Sequence, residues 1–195
     1  TKTGEKWHSD YSMSSSQSQG RITSSPVAFT ATLFPSVNFT HADAAALSIA
    51  SEIMENKTLH KRIREQGGAY GSGAVNGVLS GQFYFYSYRD PHLASTLDAF
   101  HEAIEEVAKG NFDERALEEA KLGLFQELDS PIPPGSRAMT SYSRMRGGRS
   151  PKRRQEFRAR LLASTLKDVQ EATQKHLLPG FKKSVTVTFA GKEFL

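Results

Sequence analysis

Arg64 and Tyr70 flank a small-residue run, Arg64-Glu65-Gln66-Gly67-Gly68-Ala69-Tyr70-Gly71, and no other pair of side chains in this sequence is better suited by type and spacing to chemistry. A guanidinium and a phenol both donate hydrogen bonds, and two donors aimed at one point can hold a carbonyl oxygen as it gains negative charge. Gly67 and Gly68, followed by the small Ala69, let another backbone approach closely, as a bound peptide requires. A strand edge beside them could extend that peptide by strand addition. The ordinary structural alternative pairs Arg64 with Glu65 or Asp90 and packs Tyr70 at a sheet end, since surface ion pairs are common and seldom functional.

Other chemistries find less support. The chain has six His, but neither His-Glu-x-x-His nor His-x-x-Glu-His occurs. His60, His92, His101 and His176 stand apart, and the nearest approach to a motif is His101-Glu102 followed by Glu105 and Glu106. A catalytic zinc takes three protein ligands and a water, so no metal site is expected in this chain. Cysteine is absent, which excludes disulfides, thiolate metal sites and a thiol nucleophile and mildly favours an intracellular setting. The run Gly67 to Gly73 could in principle cradle a phosphate, but it lacks Gly-Lys-Ser/Thr and is entered by a helix and left by a strand. That is the reverse of a dinucleotide loop.

A basic tract, Arg144, Arg146, Arg149, Lys152, Arg153, Arg154, Arg158 and Arg160, contains Glu156 as its only carboxylate. It could contact phosphates, yet Phe157 is its only aromatic residue and no recognition module surrounds it. Nucleic acid is therefore a secondary reading for this tract. The overall balance, 25 Lys and Arg against 21 Asp and Glu, is too even to identify a polyanion binder by itself.

The elements that must position these residues follow from periodicity. With 195 residues, 37% hydrophobic and 24% charged, the chain suits one ordinary globular domain and excludes collagen and wholesale disorder. No apolar run approaches the roughly 20 residues that span a bilayer. The polar start shows no signal-peptide segment, and the absence of an initiator Met suggests a processed chain or a piece of something longer. Residues 1–25, rich in Ser, Gln and Thr, read as a flexible arm or linker, and 26–195 as a single α+β domain.

Alternation of Val27, Phe29, Ala31 and Leu33 predicts a first strand. Ala44 to Met54 predicts a helix, with a second short one carrying Leu59 and Ile63 after Asn56. Gly67 and Gly68 end that helix before a strand over 69–75, and Asn76-Gly77 predicts a tight turn into an aromatic strand over 81–88. Helices are expected after Pro91 and Asp113, over 136–146, 151–162 and 165–177, with a closing strand at Val185 to Phe189. The fold class is α+β, an antiparallel sheet covered by helices.

On these residues the sequence resembles the presequence-protease branch of the pitrilysin and insulinase metallopeptidases. The resemblance rests on Leu59-His60, Ile63-Arg64-Glu65-Gln66-Gly67-Gly68-Ala69-Tyr70-Gly71, Phe83, Phe85 and Tyr86-Ser87-Tyr88-Arg89-Asp90-Pro91. Leu117-Glu118-Glu119-Ala120-Lys121-Leu122-Gly123 and the weaker Arg154-Gln155 and Phe157-Arg158 extend it. It implies the last of four homologous α+β domains of a clamshell whose zinc sits in the first. Arg64 and Tyr70 would then reach the substrate carbonyl, with Gly67, Gly68 and Ala69 against the substrate. The cofactor would be zinc in the full-length enzyme and none in this chain. The partners would be the zinc-bearing N-terminal half and a short unstructured peptide. The Ser-rich start and the dense arginines lie outside what the resemblance requires. A non-catalytic peptide- or nucleic-acid-binding module and an inert subunit of a two-chain peptidase remain the alternatives. The expected location is intracellular, in cytoplasm or an organelle matrix.

Overall fold

A computed structural model describes residues 17–194. Most of the 1–25 arm lies outside the described residues. Its last part forms a strand, β1 (Gln19–Ile22), whose four residues are all exposed. Composition missed it because an edge strand is held by backbone hydrogen bonds and needs no apolar side chains. Strands β2 (Ala28–Pro35), β3 (Gly71–Gly77), β4 (Gln82–Asp90) and β5 (Val185–Ala190) complete one sheet in the order β1-β5-β2-β4-β3. The β5-β2-β4-β3 pairs are antiparallel, as expected, and β1 lies parallel to β5.

Period-two burial sorts the sheet into two faces. Thr30, Thr32 and Phe34 of β2 and Phe83, Phe85 and Ser87 of β4 are buried beneath helices. Their neighbours Phe29, Ala31 and Leu33, and Tyr84, Tyr86 and Tyr88, point to the other face, which no helix among the described residues covers. In register, Ala31 lies opposite Tyr86 and Leu33 opposite Tyr84. Thr30 and Thr32 meet Thr188 and Thr186 at 3.1 and 2.8 Å, linking the hydroxyls of the helix-covered face across strands. The helices thus cover one face of the sheet, not both.

Helix α1 (Ala44–Met54) is buried at nearly every position, because its alanine content lets other helices pack close around it. The break predicted after Asn56 is absent. The chain continues as an eleven-residue π-helical segment, Glu55–Glu65, that buries Leu59 and Ile63. Helices α2 (Ala94–Lys109), α3 (Glu114–Leu128), α4 (Arg137–Arg146), α5 (Pro151–Ala163) and α6 (Leu166–Ala172) follow, and a π-helical turn leads from α6 to α7 (Leu178–Phe181). Asp113 caps α3 by accepting the Ala116 N–H at 2.9 Å. Phe34, Phe85 and Phe181 pack together at the junction of sheet and helices, with Phe100 stacked on Phe85 at 5.1 Å.

Asn76-Gly77 does not form the hairpin turn. Both residues close β3, Gly77 pairing with Gln82, and the turn itself is 78–81. The Asn76 amide is buried and donates to the Ala44 carbonyl at 3.1 Å and to Ser48 Oγ at 3.2 Å. Satisfying that tertiary demand outweighs the local turn preference of Asn-Gly.

Candidate functional site

The corner carrying Arg64 and Tyr70 is built by a helix ending beside an edge strand. Gly68 adopts a left-handed φ of 75°, and around it the Gly68 N–H donates to the Arg64 carbonyl at 2.9 Å and the Ala69 N–H to the Ile63 carbonyl at 3.0 Å. These nested bonds cap the π-helical segment, and only glycine takes that conformation without cost. At Gly67 a Cβ would lie 2.6 Å from the Ile63 carbonyl oxygen, so no side chain fits there. Ala69 is buried in the core and its N–H is spent on the cap. Neither its side chain nor its N–H is therefore free for a further contact.

Beyond the corner the Tyr70 N–H donates to the Arg89 carbonyl at 3.3 Å, and Tyr70 stands 70% exposed. It is not packed beneath a sheet end. Its ring meets Tyr88 edge-on at 5.9 Å, and Tyr88 in turn meets Phe29 edge-on at 5.2 Å. Tyr70 thus extends the aromatic row of the open sheet face to its rim. Arg64 is also exposed and takes part in no ion pair among the described residues. Glu65 approaches His60 instead, and Arg62, not Arg64, pairs with Glu102 at 2.9 Å.

Asp90 has a different role from the one that would engage Arg64. Fully buried, it accepts the Thr96 hydroxyl at 2.6 Å and the His92 N–H at 2.9 Å, fixing the turn into α2. The residue before it, Arg89, bulges out of β4: Tyr88 pairs with Phe29 and Asp90 with Ala28, which leaves Arg89 unmatched against β2. Arg89 has φ 52°, a conformation that costs a non-glycine residue about 1 kcal/mol or more. The bulge brings the Arg89 guanidinium to 6.0 Å from the Tyr70 ring centroid. Sequence reasoning gave Arg89 no role, because a bulge has no periodic signature; Asp90-Pro91 after the strand was the one local hint. The structure therefore joins Tyr70, Tyr88 and Arg89 by contact. Arg64 stands at the end of the helix that enters the same corner, with no side-chain bond to them.

Two further clusters of titratable side chains are present. Burial, then the neighbouring Glu55 and Glu127 charges, pushes the Glu52 carboxyl above its usual range. Burial also raises Glu55 despite the Ala74 N–H and the His60 charge that oppose it. The other cluster corrects the reading of His176 as isolated. His41, Asp43 and His176 place possible ligand atoms within 4.8 Å of one another. Their donors are already engaged: Asp43 Oδ2 holds Lys175 Nζ at 2.8 Å and His176 Nε2 at 2.7 Å, and His41 Nδ1 accepts the Asp43 N–H at 3.1 Å. A cation placed there would face the Lys175 ammonium, so the arrangement fits an ion-pair network and not a catalytic zinc.

Comparison with known proteins gives this geometry a setting. The family profile described as "PreP C-terminal domain" matches residues 27–188. The chain belongs to that family. It is 39% identical over 163 residues to a protein of Emericella nidulans named "Presequence protease, mitochondrial", and 41% identical over 155 residues to one of the same name in Xenopus tropicalis. These alignments cover 82% and 80% of the chain but only 15% of either relative. Among solved structures, a peptidase M16 inactive domain from Pseudomonas fluorescens superposes with a TM-score of 0.72 at 18% identity, covering 91% of this chain and 43% of that one. A protease from Helicobacter pylori gives 0.72 at 14% identity, covering 97% and 48%. The resemblance read from Arg64 to Gly71 and from Tyr86 to Pro91 is thereby borne out for family and fold.

Proposed function

We propose that this PreP C-terminal domain supports the peptide substrate of a zinc-dependent oligopeptidase whose metal is held elsewhere in the parent protein. The observation that carries the reading is the pair of exposed donors at the glycine corner, Tyr70 at the rim of an uncovered aromatic face and Arg64 without an ion pair. Among the described residues neither donor is bonded within the fold, so both are available to a substrate. In the full-length enzyme zinc supplies the Lewis acid and the activated water. The work assigned to this chain is to donate hydrogen bonds from Tyr70 Oη and the Arg64 guanidinium to the scissile carbonyl oxygen as it becomes an oxyanion. Gly67, Gly68 and Ala69 keep the corner low, so an extended peptide can lie against it.

The relatives' name places them in mitochondria, and an organelle matrix with short unstructured peptides as substrates is the setting that fits this reading. No helix among the described residues is long and apolar enough to cross a membrane. The zinc-bearing N-terminal half is the partner this reading requires.

The test is peptide cleavage by the full-length parent carrying Tyr70→Phe or Arg64→Ala. Loss of one preorganised oxyanion donor costs about 2.7–4 kcal/mol, or roughly a hundred- to a thousandfold in kcat. That fall, with melting temperature unchanged, is expected for each variant. Turnover unchanged in both would remove the assigned roles.

A further inference from the structure

The arginine tract between α4 and α5 is left unexplained by the peptidase reading, and the fold gathers it into a cavity. Helix α4 ends in a left-handed turn at Gly148, φ 65°, where the Gly148 N–H bonds to the Met145 carbonyl at 3.1 Å and the Arg149 N–H to the Arg144 carbonyl at 2.8 Å. This cap doubles the chain back, so that Arg149 returns over Arg144. Ser150 then caps α5 by accepting the Arg153 N–H at 3.3 Å, with Pro151 in the first turn. Arg144, Arg149 and Arg154 together line a cavity of about 420 Å³ and also its neighbour of equal size.

Three of the tract's other arginines are engaged within the protein. Arg158 pairs with Asp129, its second guanidinium nitrogen lying 2.9 Å from Oδ2, and sits 4.5 Å over the Phe125 ring. Arg153 donates to the Gly148 carbonyl at 3.0 Å and Arg160 to the His41 carbonyl at 2.7 Å. Arg144, Arg149 and Arg154 have no carboxylate partner among the described residues. Arg149 and Arg154 each hide Nε from solvent without a hydrogen-bond acceptor. The Arg158–Asp129 pair also lines this cavity, and its two charges offset one another. That leaves the three unpaired guanidinium groups, two with unsatisfied buried donors, as the net charge of the wall, and an oxyanion among them is stabilising. The cavity's apolar surface is formed by Leu128, Pro151 and the Phe39–Phe157 pair stacked at 4.7 Å, with Gln155 as a further polar lining residue.

We propose that the Arg144, Arg149 and Arg154 cavity binds a small organic polyphosphate, its phosphates on the guanidinium groups and its organic body on the Phe39–Phe157 wall. The volume is that of a single small molecule, and the guanidinium fork matches phosphate oxygens in pairs. A nucleic-acid strand would need a continuous track of free cations, whereas Arg153, Arg158 and Arg160 are engaged within the protein and the exposed Arg146 and Lys152 line neither cavity.

The test is isothermal titration of the 195-residue chain with ATP, with inorganic phosphate and with a single-stranded oligonucleotide, at low and at physiological salt. One-site binding of ATP is expected, at least tenfold tighter than inorganic phosphate, because only the organic body reaches the apolar wall. Arg149→Ala combined with Arg154→Ala should weaken ATP at least tenfold with the melting temperature retained. The double lysine variant, which keeps charge but loses the planar fork, should recover only part of the affinity. Equal affinity for phosphate and ATP, full recovery by lysine, or no ATP binding would overturn the proposal. Oligonucleotide binding that strengthens with length while ATP stays unbound would also overturn it, in favour of a backbone-phosphate contact.

Discussion

Asp90→Ala tests how the bulge, the corner and the start of α2 are held together. The carboxyl is fully buried and accepts from the Thr96 hydroxyl at 2.6 Å and the His92 N–H at 2.9 Å. Removing it leaves the Thr96 hydroxyl, itself almost wholly buried, with only a long 3.4 Å contact to the His92 carbonyl. An unsatisfied buried group costs about 1–3 kcal/mol. Taking about 2 kcal/mol for the hydroxyl and about 1 for the His92 N–H, which water can partly reach, the total is about 3 kcal/mol. For a domain of this size that lowers the melting temperature by roughly 6–12 °C. Urea unfolding followed by circular dichroism should show the midpoint falling with an unchanged slope. Thr96→Ala in the Asp90→Ala background should cost little more, with a coupling of about 1–2 kcal/mol between the two sites. A loss below about 1 kcal/mol for Asp90→Ala, or full additivity with Thr96→Ala, would refute the claim that this buried pair closes the turn.

Gly68→Ala forces a side chain into a left-handed conformation with φ 75°, so a loss of about 1–2 kcal/mol is expected by chemical denaturation. Glu52 and Glu55 have folded pKa values raised above the ordinary 4.5, so ionisation opposes folding as pH rises from 4.5 through the raised values. Glu52→Gln should therefore gain a few tenths of a kcal/mol at pH 7, and the gain should vanish below about pH 4 when the urea midpoint is followed against pH. Burial pushes the Asp43 carboxyl up, but hydrogen bonds and charge from Lys175 and His176 outweigh it and hold the group below 3.8. Its contribution is present above 3.8 and lost as pH falls through the lowered value, so Asp43→Asn should cost about 1 kcal/mol at pH 7 and nothing in strong acid. The 195-residue chain alone should neither hold stoichiometric zinc nor cleave short peptides; chelator-sensitive cleavage accompanied by one zinc per chain would refute the placement of the catalytic metal outside this chain, with His41, Asp43 and His176 the first ligands to test.

Much of this protein was legible in the order of its residues. The alternation of Phe83, Phe85 and Ser87 with Tyr84, Tyr86 and Tyr88 set both faces of β4, because a strand's period of two leaves one choice once the phenylalanines are buried. Gly67-Gly68 marked the helix end, because a left-handed cap and a position with no room for Cβ both exclude other residues. Arg64 and Tyr70 were found as candidate donors from their chemistry and their place beside those glycines, and the family followed from the same string. What local pattern could not carry was decided by contacts between distant segments. Asn76 left the turn its neighbours favour because Ala44 and Ser48, more than 25 positions earlier, offer its buried amide two acceptors. Asp90 turned from Arg64 to Thr96, and the bulge that accompanies it set Arg89 beside Tyr70. His41 and His176, far apart in the chain, met at Asp43, and Arg153, Arg158 and Arg160 were engaged within the protein while Arg144, Arg149 and Arg154 were left without carboxylate partners around a cavity. Periodicity and glycine act within a few residues, where backbone geometry is local. Which donor finds which acceptor depends on surfaces brought together only when the chain folds.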